Sequence, residues 1–157
     1  MTLAPDARPL PVVAAVIVRD AHILACRRRP ERSSSGLWEF PGGKIEPDEL
    51  PTHALAREIF EELGVTIEVG RLFHTGITPV GDALIDLRSY LARLASNEPT
   101  SSTDHDELRW LSARELASVE WALPDRPVVD LLIEDDAPLL TPRGWAYRPS
   151  QVDDITD

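Results

Sequence analysis

The stretch GGKIEPDELPTHALAREIFEELGV, from Gly42 to Val65, decides how this chain is read. Its second half predicts a helix. Pro51 suits the first helical position, where a missing N–H costs nothing. Gly64 suits the position just past the end, where a left-handed residue is wanted. Leu50 is a poor N-cap, so the start is less sharply marked than the stop. With Leu55 at zero on a helical wheel, Ile59, Leu63, Ala56 and Phe60 fall at about 40°, 80°, 100° and 140°, an apolar sector expected to face a core. Glu62, Glu58 and Glu61 fall at about −20°, −60° and −120°, and Arg57 lies just beyond, one turn before Glu61. Three like charges on one strip repel by about 0.2–0.5 kcal/mol per pair even when solvated. A hard divalent cation removes that cost, and carboxylate oxygens are the ligands that Mg²⁺ takes.

A lone Glu-Glu pair on a helix is ordinarily a solvated face. Here the pair is embedded in a longer pattern: Gly43, five residues, Glu49, seven residues, Arg57-Glu58-Ile59, one residue, Glu61-Glu62, one residue, Gly64-Val65. At every position this resembles the signature of the Nudix hydrolases, and a match of that length outweighs the solvated-face reading. The run just before it, WEFPGGKIE from Trp38 to Glu46, is similar to the MutT branch of that family. That branch comprises pyrophosphohydrolases acting on nucleoside triphosphates, often damaged or modified ones.

Length and composition are consistent with this. The 157 residues fit one domain with a real core, and 43% hydrophobic with 27% charged residues is ordinary for a globular protein. The net charge of −11 argues against polymeric nucleic acid as a partner. It leaves room for a single nucleotide, because bound cations bridge acidic side chains to phosphates. Cys26 is the only cysteine, so no internal disulfide forms and a reducing compartment is compatible. No apolar run approaches the ~20 residues that span a bilayer, and no signal peptide is apparent. The expectation is a cytoplasmic protein, monomer or homodimer, with a small nucleotide as substrate.

Taken in order, 1–11 carries three prolines and reads as a loose lead-in. Val12 to Arg19 reads as a buried strand and Ile23 to Arg27 as its return. Arg27, Arg28 and Arg29 form the most basic spot; they read equally as a solvated strand end or a phosphate grip. Leu37 to Gly43 reads as a short strand entering a glycine turn. Thr66 to Phe73, Ala83 to Leu94 and Glu107 to Leu111 read as strands. Ser112 with Glu115 suggests a capping box for a helix over Ala113 to Val119. A last helix over Pro127 to Ile133 has apolar residues facing more than one way, so it is expected to be well buried. The tail 135–157, with three prolines and five aspartates, is expected to hold little regular structure, and Trp145 and Tyr147 in it are unexplained. Strands before, between and after the helices give α+β or α/β. The resemblance implies an α/β/α sandwich with a mixed central sheet over roughly 12–134.

The resemblance also implies roles. Glu58, Glu61 and Glu62 match the family's metal-ligand and catalytic carboxylates, with Glu58 the first choice of general base and Glu62 the next. Arg57 matches an arginine that orients one of them. Gly42 matches a residue whose backbone carbonyl ligates metal, and Lys44 is placed to contact phosphate. Asp104, six residues before Trp110, falls where the branch carries a further acidic ligand, more often Glu; Glu107 is the fallback, and a solvated carboxylate the bland alternative. Arg28 aligns with a phosphate-contacting basic residue, Phe40 with a base-pocket residue and Asp125 with a base-reading one, although Asp is also a good helix cap. The implied cofactor is Mg²⁺ or Mn²⁺. The implied reaction is water attack on the β-phosphorus of a nucleoside triphosphate, of 8-oxo-dGTP or CTP type, giving monophosphate and pyrophosphate. Two other readings remain open at this point: a Nudix hydrolase of another nucleoside diphosphate derivative such as ADP-ribose, and a non-catalytic nucleotide-binding module.

Overall fold

Val13 to Ile17 is apolar at every position because the strand it forms is covered on both faces. The computed structural model describes residues 8–32 and 35–134. The expectations for the start of the lead-in and for the tail with Trp145 and Tyr147 lie outside the described residues. Strand β1 (Leu10–Arg19) is followed by β2 (His22–Arg28), β3 (Trp38–Glu39), β4 (Gly42–Lys44), helix α1 (Pro51–Leu63), β5 (Ile67–Val80), β6 (Ala83–Leu94), β7 (His105–Ser112) and helix α2 (Arg126–Glu134). Two 3₁₀ turns, Arg114–Ser118 and Leu123–Asp125, lead into α2.

The sheet is mixed, with β1 at its centre. β1 runs parallel to β6, from Leu10 beside Ile85 to Ile17 beside Ala92. It is antiparallel to β4 through Val12–Lys44 and to β2 through Val18–Ile23. β6 pairs antiparallel with β5, and β2 with both β3 and β7. Alternation along the strands sorts the interior into two layers. Val13, Ala15, Ile17, Leu24 and Cys26 pack with Ala54, Leu55, Ile59 and Leu63 of α1. Ala14, Val16, Ile23 and Ala25 pack with Val128, Val129 and Leu132 of α2. The architecture is therefore helix, mixed sheet, helix.

Helix α1 stops as expected: Gly64 takes φ +67° and its N–H donates to Phe60 O at 2.9 Å. It starts with Pro51 and no side-chain cap. Its buried face is a correction to the sequence reading. Phe60 is 62% exposed and Ala56 is exposed, whereas Glu62 is only 7% exposed. The buried arc is Pro51, Ala54, Leu55, Ile59, Glu62 and Leu63. The helix is turned so that the strip carrying Glu62 faces β4 and the sheet, and Phe60 is left in solvent.

Four other elements depart from expectation. The strand from Leu37 is broken in two, because the Phe40 N–H is aimed at the Asp125 carboxylate and Pro41 has no N–H to give a ladder. β5 continues to Val80, pairing with β6 through two irregular steps. α2 buries one face only, with Leu131 and Ile133 exposed. The reciprocal Ser112–Glu115 bonds form, at 3.0 and 3.3 Å, but the turn they start is 3₁₀.

Candidate active site

The glycine turn and helix α1 are locked together by one arginine. Arg57 donates Nε and Nη2 to the two oxygens of Glu49, at 2.7 and 2.9 Å. Its Nη1 reaches Glu58 at 3.0 Å and Glu61 at 3.2 Å, and Nη2 also reaches the Lys44 carbonyl at 3.1 Å. The two-pronged contact goes to Glu49 rather than to a carboxylate of the helix strip. That contact holds the Glu49 carboxyl down at about 2. Glu49 in turn accepts the Glu46 N–H at 3.0 Å, closing the loop between β4 and α1. Gly42 must be glycine, since a Cβ there would collide with the backbone of Val13 and Ala14 in β1, and a Cβ at Gly43 would push the Glu58 carboxyl aside.

Glu58 and Glu62 stand behind this clamp. Burial raises Glu58, opposed by Arg57 and assisted by the charges of Glu61 and Asp104. Glu62 is buried, and among the described residues its Oε2 has no hydrogen-bond partner. Burial first, then the adjacent Asp104 carboxyl, then the charges of Glu39 and Glu58, push it up to about 10. Glu61 lies at the outer rim, its side chain 57% exposed.

Asp104 enters from the loop before β7. Arg32 pairs with its Oδ1 at 2.8 Å, and the Arg29 N–H donates to its carbonyl at 3.2 Å. The Thr103 N–H donates to the Glu62 carbonyl at 3.1 Å, so the loop is fastened to α1 itself. Glu107 instead pairs with Arg27 and Arg109. Among the described residues no three His, Cys, Asp or Glu side chains converge into a ready-made cation cluster. Glu58 and Asp104 are each drawn to a guanidinium, Arg57 and Arg32.

Beside the carboxylates, across the Gly42–Gly43 strand, lies a cleft of about 270 Å³. Arg28, Phe40, Gly42, Lys44 and Asp125 all line it, together with Glu39. Phe40 packs on Trp121, ring centres 4.7 Å apart. Asp125 is buried, and its Oδ1 accepts the Phe40 N–H at 3.4 Å. Burial, then the charge of Glu39, raises its carboxyl well above the usual range. A larger hollow of about 480 Å³ over β5 and β6 contains none of the expected site residues.

The NUDIX domain profile matches residues 9–132, which include both the carboxylate strip and the cleft. The chain belongs to the Nudix family. The CTP pyrophosphohydrolase of Escherichia coli K12 is 36% identical over 119 residues, covering 76% of this chain and 87% of that protein. The 8-oxo-dGTP diphosphatase of Proteus vulgaris is 36% identical over 96 residues, 60% of this chain and 86% of that protein. The crystal structure of a MutT Nudix hydrolase from Burkholderia pseudomallei superposes with a TM-score of 0.72 at 29% identity, covering 78% of this chain and 97% of that one. This Nudix protein is a hydrolase of the MutT-like kind.

In this Nudix chain the expected residues fall into two adjoining groups. The cleft gathers Arg28, Phe40, Gly42, Lys44 and Asp125. The strip holds Glu58 and Glu62 next to Asp104, with Arg57 and Glu61 at its rim. Sequence reading gave no role to Glu39, Ser102 or His105. Glu39 Oε2 accepts from Arg28 Nη1 at 3.0 Å and from His105 Nε2 at 2.8 Å, and its charge reaches both Glu62 and Asp125. Glu39 was visible only as one letter of the WEFPGG run. Glu49 was visible as a signature position, but not as the partner of Arg57.

Proposed function

We propose that this hydrolase is a Mg²⁺- or Mn²⁺-dependent nucleoside triphosphate pyrophosphohydrolase, cleaving a cytosine or guanine nucleotide, oxidised or otherwise modified bases included, to the monophosphate and pyrophosphate. The observation that carries the reading is Glu62: a buried carboxylate with one oxygen unpartnered among the described residues, beside Asp104, under the charges of Glu39 and Glu58, and close to a cleft that Asp125 lines. A buried anion among anions is stable only with a proton or a cation. The donor set is carboxylate oxygen from Glu58, Glu62 and Asp104, with Glu61 at the rim and the Gly42 carbonyl nearby, and it fits a hard divalent ion. Such an ion supplies neutralisation of phosphoryl charge and a more acidic water.

The chain's own residues do the rest. The cleft, at about 270 Å³, suits a base and sugar rather than a whole triphosphate, which leaves the phosphates to run over the glycine strand toward the strip. Phe40 flanks the base, and Arg28 and Lys44 take phosphate oxygens. Arg57 holds Glu58 in place, so that this carboxylate can accept the proton of the attacking water at the β-phosphorus. Asp125 reads the base edge. The names of two relatives, a CTP pyrophosphohydrolase and an 8-oxo-dGTP diphosphatase, mark the two base classes to try first.

The test is a panel with Mg²⁺ scoring monophosphate and pyrophosphate release from CTP, dCTP, 5-methyl-dCTP, dGTP, 8-oxo-dGTP and ADP-ribose. Turnover led by a triphosphate is expected. A panel dominated by ADP-ribose would overturn the assignment.

A further inference from the structure

His105 is fully enclosed and uses both ring nitrogens, toward groups on different elements. The hydrogen bonds around it have a direction. The Asp104 N–H donates to Ser102 Oγ at 3.2 Å, and the Ser102 O–H is free to donate onward to His105 Nδ1 at 2.7 Å. Nδ1 then accepts, and Nε2 carries the hydrogen that goes to Glu39 Oε2 at 2.8 Å. The same Glu39 oxygen receives Arg28 Nη1 at 3.0 Å. A chain of hydrogen bonds therefore runs from the backbone of Asp104, beside the carboxylate strip, to the guanidinium of Arg28 in the cleft. The loop that starts it is held from outside as well: Arg29 donates Nε to the Thr103 carbonyl at 3.0 Å and Nη2 to the Ser102 carbonyl at 2.9 Å.

We propose that His105 is a positioning residue for phosphate binding: through Glu39 it aims Arg28, and through Ser102 it keeps that grip in register with Asp104. The proposal rests on the reading of Arg28 as a phosphate contact, not on the identity of the base.

The test is a double-mutant cycle on the full chain, reading the Kd for inorganic tripolyphosphate in the presence of Mg²⁺, so it does not depend on turnover of any nucleotide. His105→Phe keeps a ring of similar size and removes both hydrogen bonds. It is expected to weaken tripolyphosphate binding about tenfold or more, and to change it less than about threefold when Arg28 is already Ala. His105→Gln can donate to Glu39 and accept from Ser102, and is expected to recover most of the loss. Independent, multiplying losses in the cycle would overturn the proposal, as would a Gln variant no better than Phe or a wild-type protein that does not bind tripolyphosphate. If His105→Phe does not fold, His105→Asn, too short to span Ser102 and Glu39, takes its place under the same criteria. A protein that gives the coupled cycle yet hydrolyses no nucleoside triphosphate would contradict the proposed function and leave this inference standing.

Discussion

Glu62 shows in one residue what the site costs the metal-free protein. Its carboxyl is raised to about 10, against about 4.5 when unfolded. Between those two values the unfolded chain has released a proton that the folded one retains, so metal-free stability falls as pH rises across that window. Glu62→Gln removes the dependence. In melts with chelator, the variant is expected to match wild type near pH 5 and to exceed it increasingly at pH 7 and 9, while its kcat falls by several orders of magnitude. A stability gap that closes with rising pH would contradict the burial argument. Arg57 makes a different kind of claim. Its planar fork spans both oxygens of Glu49, a contact lysine cannot reproduce. Arg57→Lys should therefore recover little of the kcat lost in Arg57→Ala; equal activity of Lys and Arg would show that charge alone matters. Asp125 is held toward its protonated form by burial and by Glu39. Protonated it can donate and accept, and ionised it can only accept. The ratio of kcat/KM between cytosine and guanine triphosphates should drift with pH in wild type and stay flat in Asp125→Asn. A flat wild-type ratio would remove Asp125 from base reading.

At the scale of elements, α1 separates what a sequence can tell from what it cannot. Its ends were legible because caps are local: Pro51 and Gly64 sit where their backbone chemistry puts them. Its face was not. The apolar wheel placed Phe60 inside and Glu62 beside the core, but packing of Glu58 against Gly43 turns the helix the other way. A tertiary demand of the site overrides hydrophobic periodicity here. The expected consequence is that Phe60→Gln changes stability by no more than about 0.5 kcal/mol, whereas Ile59→Ala costs about 2–5 kcal/mol. Denaturant midpoints decide this, and a large loss from Phe60→Gln would restore the original face. The break between β3 and β4 was illegible for a similar reason: it follows from the Phe40 N–H turning to Asp125, a residue far along the chain.

Over the whole molecule, the strands and their rough order of appearance could be read from β-branched runs and turn residues, and the mixed sandwich followed only from the resemblance. Side chains drawn together across the sheet were the least legible. Glu39 lies on one stretch and Ser102 and His105 on another, far along the chain, and the two meet only once β2 pairs with both β3 and β7. The acidic surface, net charge −11, gives the chain no general attraction for phosphates, so affinity must be concentrated at Arg28, Lys44 and a divalent cation. The measurement that bears most directly on this account is turnover of the best triphosphate from the panel with Mg²⁺ in ¹⁸O-labelled water, followed by ³¹P NMR and mass analysis of both products. The expected result is monophosphate and pyrophosphate with the label in pyrophosphate, abolished by chelator and in Glu62→Gln. Label in the monophosphate, release of single phosphates, or undiminished turnover under chelator would contradict it.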